Sequence, residues 1–127
     1  MRTESLPALK TPRLWFGLAY AMLAMVGVLS LIPSPDIGDS DKFMHFFTYF
    51  VLSAGFTTLS RFNRSLLFIA AGLIGYGILL EFLQGMTGYR FMDVYDMLAN
   101  SAGVICGLLV RVTTLPEWFR KIESAIL

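Results

Sequence analysis

Charge is scarce in this chain. Only 15% of its 127 residues are Asp, Glu, Lys or Arg, where a soluble domain of this size carries about a quarter. With 56% hydrophobic residues and a mean hydropathy of +0.66, that scarcity excludes an ordinary water-soluble domain. Cysteine is almost absent. Cys106 stands alone inside an apolar run, so no intrachain disulfide forms, and it reads as a small buried residue rather than a reactive thiol. Histidine occurs once, at position 45, and no metal-ligand motif, Gly-x-Ser-x-Gly elbow or phosphate-binding loop is present. The sequence therefore gives no ground for a resident metal or cofactor. A net charge of +1 leaves no electrostatic footprint for nucleic acid. Internal repeats and low-complexity stretches are lacking too.

Apolar blocks are what the chain has in quantity. Residues 14–32 carry no charge and are long enough to cross about 30 Å of hydrocarbon at 1.5 Å per residue. The block outruns the apolar core of a signal peptide, and Pro33 and Pro35 end it rather than a cleavage site, so an uncleaved first span is expected. An acidic loop with Asp36, Gly38, Asp39 and Ser40 follows, in which Asp39 or Ser40 can cap the next helix. Further spans are expected over 41–59, 65–83 and 93–112, with a basic turn at Arg61, Asn63 and Arg64 and a second loop from Gly85 to Met92. Thr114 and Glu117 have capping-box spacing ahead of an amphipathic tail over 114–127. There Leu115, Trp118, Phe119, Ile122 and Ile126 oppose Arg120, Lys121 and Glu123, as in an interfacial helix. The expectation is one domain over 1–127: an all-α integral membrane protein with four transmembrane helices and a C-terminal interfacial amphipathic helix.

Loop charge sets the expected orientation. Eight of the ten Lys and Arg residues lie in the N-terminus, the 61–64 turn and the C-terminal region, while all five aspartates and only Lys42 and Arg90 lie on the other side. The positive-inside rule then puts both termini in the cytoplasm and the acidic loops outside.

That topology gathers the unusual residues at the outer end. Asp41, His45 and Tyr49 are four apart and share a helix face that Lys42 neighbours. Glu81 and Gln84 are three apart on the third helix, and Asp93, Asp96 and Asn100 line one face at the start of the fourth. Arg90 precedes them in the loop. Each residue also has a structural explanation. Asp93 suits a helix cap with Asp96 in the first turn, Lys42 can snorkel, His45 can hydrogen-bond between helices, and Tyr49 can be an interfacial aromatic. Glu81 is the hardest to dismiss, because an unpaired acid among apolar neighbours is costly. Lys42, His45 and Arg90 are its candidate partners.

The pattern Asp41-Lys42-x-x-His45-x-x-x-Tyr49, then Gly77-x-x-x-Glu81-x-x-Gln84, then Arg90, Asp96, Asn100, Gly103 and Gly107 resembles the VanZ-like family of small bacterial membrane proteins. The resemblance implies a bacterial plasma-membrane protein. The family takes its name from a factor linked to low-level teicoplanin resistance, and no well-established catalytic activity comes with it.

Three functions compete. A binding module would hold an anionic envelope component, such as a lipid-linked cell-wall precursor or a glycopeptide, among Asp41, Lys42, His45, Tyr49, Glu81, Gln84, Arg90, Asp96 and Asn100. A structural or regulatory subunit would use the same polar network only to fix helix packing, and it leaves homo-oligomerisation open. An intramembrane hydrolase or transferase would use His45, Glu81 and Asp96 as acid–base groups. A metal held by those three is conceivable, but the single histidine argues against it. Binding is the favoured expectation, and an enzyme the least.

Overall fold

Helices form wherever the apolar blocks predict them, and their ends follow the local signals. The computed structural model describes residues 5–33 and 40–127; the acidic-loop residues Asp36, Gly38 and Asp39, and the caps assigned to Asp39 and to the Ser40 side chain, lie outside the described residues. Helix α1 runs over Pro12–Leu31, α2 over Ser40–Leu59, α3 over Ser65–Met86 and α4 over Val94–Leu108. A 3-10 turn, Leu109–Val112, leads to α5, Leu115–Ile126. Helix α1 starts at Pro12, where a first-turn proline gives up no hydrogen bond. The third helix continues to Met86, which shortens the following loop. Its turn passes through Gly88, whose φ of 84° a side chain would disfavour.

Among the described residues, three helical segments are long and apolar enough to cross a membrane: Pro12–Leu31, Ser65–Met86 and Val94–Val112. Helix α2 matches them in length but is less apolar, and the packing explains why. Along α2, Tyr49, Leu52 and Phe56 join Leu73 and Val104 in the core, while Ser53, Thr57 and Thr58 are also buried. It is the helix the others surround, so its polar residues meet protein rather than an outer apolar solvent.

Helices α2 and α4 meet through glycine. A Cβ on Gly107 would sit 2.8 Å from both Phe50 O and Ala54 N, and one on Gly103 would collide with Phe46 O. Ser53 Oγ donates to Val104 O at 2.7 Å across the same seam. Small residues that let two backbones touch, with a hydrogen bond between them, are how helices associate without water to drive them together.

The opposite end from Lys42 is closed by α5 and the N-terminal segment. Arg120 donates to the carbonyls of Thr58 (2.6 Å), Leu59 (3.1 Å) and Ser60 (3.4 Å), which end α2, and to Pro7 O (2.7 Å). Arg111 adds bonds to Ser60 O (2.5 Å), Arg61 O (2.6 Å) and Asn63 Oδ1 (2.7 Å). Two guanidinium groups thus serve carbonyls that a helix C-terminus leaves without intrahelical partners. Glu123 accepts from Lys10 N (2.7 Å), Thr11 N (3.2 Å) and Trp15 Nε1 (2.6 Å), tying α5 to the start of α1. Arg120 and Glu123 are therefore buried against the chain, while Leu115, Trp118, Ile122 and Ile126 face outward. Thr114 makes no side-chain cap; Thr113 Oγ1 instead receives Leu115 N at 3.2 Å.

Candidate functional site

The start of α4 assembles the polar end of the molecule. Asp93 Oδ1 caps the helix by accepting from Tyr95 N at 2.8 Å, and its Oδ2 holds Lys42 Nζ at 2.7 Å. Lys42 Nζ also donates to Asp96 Oδ1 at 2.5 Å, so one ammonium bridges two carboxylates and locks α2 to α4. The cap expected of Asp93 is present, and the other oxygen of the same carboxylate pairs with Lys42. Lys42 beside it, then the Tyr95 amide, hold the Asp93 carboxyl below its usual range.

One turn inward, His45 Nδ1 lies 2.9 Å from Asn100 Oδ1. Its Nε2 faces Asp41 Oδ2 at 3.4 Å and Asp96 Oδ2 at 3.3 Å. Asp41, His45 and Asp96 offer ligand atoms that all lie within 4.8 Å of one another. Deeper still, Tyr49 and Asn100 pack against Gly77: a Cβ there would lie 3.1 Å from Asn100 Nδ2 and 3.3 Å from Tyr49 Cε1. The absence of a side chain at Gly77 is what lets α2, α3 and α4 converge here.

Glu81 and Gln84 are almost wholly buried, and neither meets a cation. Glu81 Oε2 accepts from Asp93 N at 3.0 Å, which fixes the loop onto α3. Its partner is a backbone amide, not Lys42, His45 or Arg90. Gln84 Nε2 donates to Ser30 O at 2.7 Å, Tyr89 Oη to Leu31 O, and Arg90 Nη1 to Ile32 O at 3.1 Å. These three successive carbonyls end α1, so the last turn of α3 and the loop after it cap a helix far away in sequence. Tyr89 was not among the expected site residues, because nothing local marks a tyrosine as a cap for a distant helix.

Beside this network lies a cavity of about 470 Å³ between α1 and the N-terminal half of α2. Asp41, His45, Gln84 and Arg90 line one end; Met22, Met25, Val26 and Leu29 of α1 and Phe47, Val51 and Leu52 of α2 line the rest. Of the expected site residues, Tyr49 also reaches it, whereas Lys42, Glu81, Asp96 and Asn100 form the network behind.

Comparison with known proteins is decisive at the level of family. The VanZ/LLP1 family profile matches residues 15–115, most of the described chain. The chain belongs to the VanZ/LLP1 family. It is also similar to an uncharacterized protein of the fission yeast Schizosaccharomyces pombe, C11E3.10, with 30% identity over 106 residues. Those residues are 80% of this chain and 65% of that protein, so the chain spans less than two thirds of its relative's length. No solved structure matches the chain. All of the site described above falls within the VanZ/LLP1 match.

Proposed function

We propose that this VanZ/LLP1 protein is a membrane-embedded binding module for an amphiphile with an anionic, phosphate-like head group. The observation that carries it is the two-part lining of the 470 Å³ cavity. Its volume is that of a small-molecule site, mostly apolar with a few convergent polar groups. In this reading the acyl chain lies along Met22, Met25, Leu29, Phe47 and Leu52, and the head group meets His45, Gln84 and Arg90. Membrane lipids, a lipid-linked cell-wall precursor and an acylated glycopeptide such as teicoplanin all share this chemistry. The yeast relative is not bacterial, so the reading needs no bacterial wall.

The accompanying topology has four spans, with α2 as the inner one and both termini cytoplasmic. The clustering of Arg61, Arg111, Arg120 and Lys10 at one end supports it, and the site then opens on the outer leaflet. Helix α5, with its apolar face outward, rests in the inner interface.

The test is binding of labelled phosphatidic acid to the protein in phosphatidylcholine nanodiscs. Thr48 also lines the cavity; Thr48→Trp, which fills it, and Arg90→Ala are each expected to weaken binding about tenfold, the loss of about 1.4 kcal/mol. Leu67→Trp, on an exposed face of α3, serves as the control and leaves it unchanged. Wild-type binding in both site variants overturns the reading. A purely structural role draws support from Lys42, which is engaged by two carboxylates; it predicts that binding is absent throughout.

A further inference from the structure

An anion-binding pocket with one acid in its lining and three more beside it poses an electrostatic problem. Asp41, Glu81, Asp93 and Asp96 surround the site against Lys42 and Arg90, and Lys42 is already bound between Asp93 and Asp96. A phosphate entering beside Asp41 meets like charge in a medium that screens poorly.

His45 shows how the conflict is resolved. Asn100 Oδ1 can only accept, so His45 Nδ1 carries the proton of their 2.9 Å bond. With Nδ1 engaged by Asn100, the ring turns its Nε2 toward two carboxylate oxygens, Asp41 Oδ2 and Asp96 Oδ2. An imidazole nitrogen and two carboxylate oxygens, all within 4.8 Å of one another, form a donor set that can hold a cation. The spacing fits one. A tetrahedral ion with bonds of about 2.0–2.1 Å sets its ligand atoms about 3.3–3.4 Å apart, and the two histidine–carboxylate separations are 3.4 and 3.3 Å. Asp96 divides its oxygens to suit, with Oδ1 on Lys42 and Oδ2 toward His45. A hydrogen bond from the far ring nitrogen is the arrangement that orients a metal-bound histidine.

We propose that Asp41, His45 and Asp96 bind a divalent metal ion of the zinc type, and that the ion's open position takes the phosphate of the head group. A nitrogen ligand with two carboxylates favours such an ion over magnesium or calcium. Asp41 and His45 line the cavity, so the open position faces where a ligand would enter. Only the phosphate as fourth ligand rests on the amphiphile reading; the ion itself rests on the three side chains.

Metal-free protein in phosphatidylcholine nanodiscs is titrated with zinc, and separately with cobalt(II) to read the visible spectrum. The expected result is one ion per chain and the intense absorption of a four-coordinate cobalt site. His45→Gln and the half-exposed Asp41→Asn are each expected to weaken uptake at least tenfold, with Glu117→Gln on α5 as a control that binds normally. Thermal unfolding of each variant confirms that it is folded, and Asp41→Asn, at the rim, keeps the test valid if His45→Gln is not. No stoichiometric uptake by folded wild type, or equal uptake by Asp41→Asn, overturns the metal site. Phosphatidic acid binding is measured with and without chelator. Binding that ignores the chelator sinks the metal link and leaves the amphiphile reading standing, whereas metal uptake without lipid binding does the reverse.

Discussion

Asp93 concentrates several tasks in one residue. Its amide donates to Glu81, one carboxylate oxygen caps α4 and the other holds Lys42. Lys42 and the Tyr95 amide lower its pKa. At the far end burial works against ionised Glu123, but hydrogen bonds from Lys10, Thr11 and Trp15 outweigh it, and that pKa is lowered as well. Both groups bind protons more weakly folded than unfolded. Their stabilisation is therefore full above the ordinary carboxylate range of about 4 and is lost as pH falls through the lowered folded values. Melting in detergent, followed by tryptophan fluorescence, should be flat from about pH 7 to 5.5 and fall below about pH 4. Asp93→Asn and Glu123→Gln should each melt lower at neutral pH and show a shallower acid decline. Variants whose curves run parallel to wild type down to pH 3 would rule this linkage out. Glu81 illustrates what the chain could not tell at this scale. Its spacing marked it as an acid with a job, but the backbone amide that occupies it comes from a loop whose path is set by tertiary packing.

Between elements, helix ends are the points of attachment. The last turn of α3 and the loop after it cap α1 through Gln84, Tyr89 and Arg90, and α5 caps α2 through Arg120. Hydrogen bonds to a charged donor are each worth about 1.5–3 kcal/mol. Arg120→Met, which keeps the stem and removes the donors, should cost about 3 kcal/mol and expose the amides near α2's end to hydrogen exchange. Arg120→Lys, with one donor head in place of a fork, should recover only part of it. A methionine variant as stable as wild type would show that water serves these carbonyls equally well. The amphipathic period of α5 was plain from residues 115–126, but not which face meets protein. With the polar side turned inward onto helix ends and the apolar side outward, the usual soluble pattern is reversed. Composition is the same either way; the unmet carbonyls of α2 decide between them.

For the whole molecule, charge separates to two ends of a bundle about 30 Å long, the length of a 20-residue helix. Four spans with cytoplasmic termini predict a definite labelling pattern in sealed cells. In a Cys106→Ser background, Met86→Cys should react with an impermeant maleimide from outside, and Arg64→Cys and Leu127→Cys only after permeabilisation. Reaction of Arg64→Cys and Met86→Cys from the same side would overturn the topology.

By itself the sequence determined the all-helical class, the position of each helix within a few residues and the family, because apolar blocks and a spaced set of polar residues are local properties of the chain. Helix period alone also placed Asp41 with His45 and Asp96 with Asn100. Tertiary structure decided the rest. Helix α2 became central because Gly103 and Gly107 allow α4 to touch it. That contact brought His45 between Asp41 and Asp96, left Glu81 on a backbone amide, and gave Lys42 two acids as partners. Pairing across helices depends on which backbones can approach closely, and that is a property of the packed bundle rather than of any one segment.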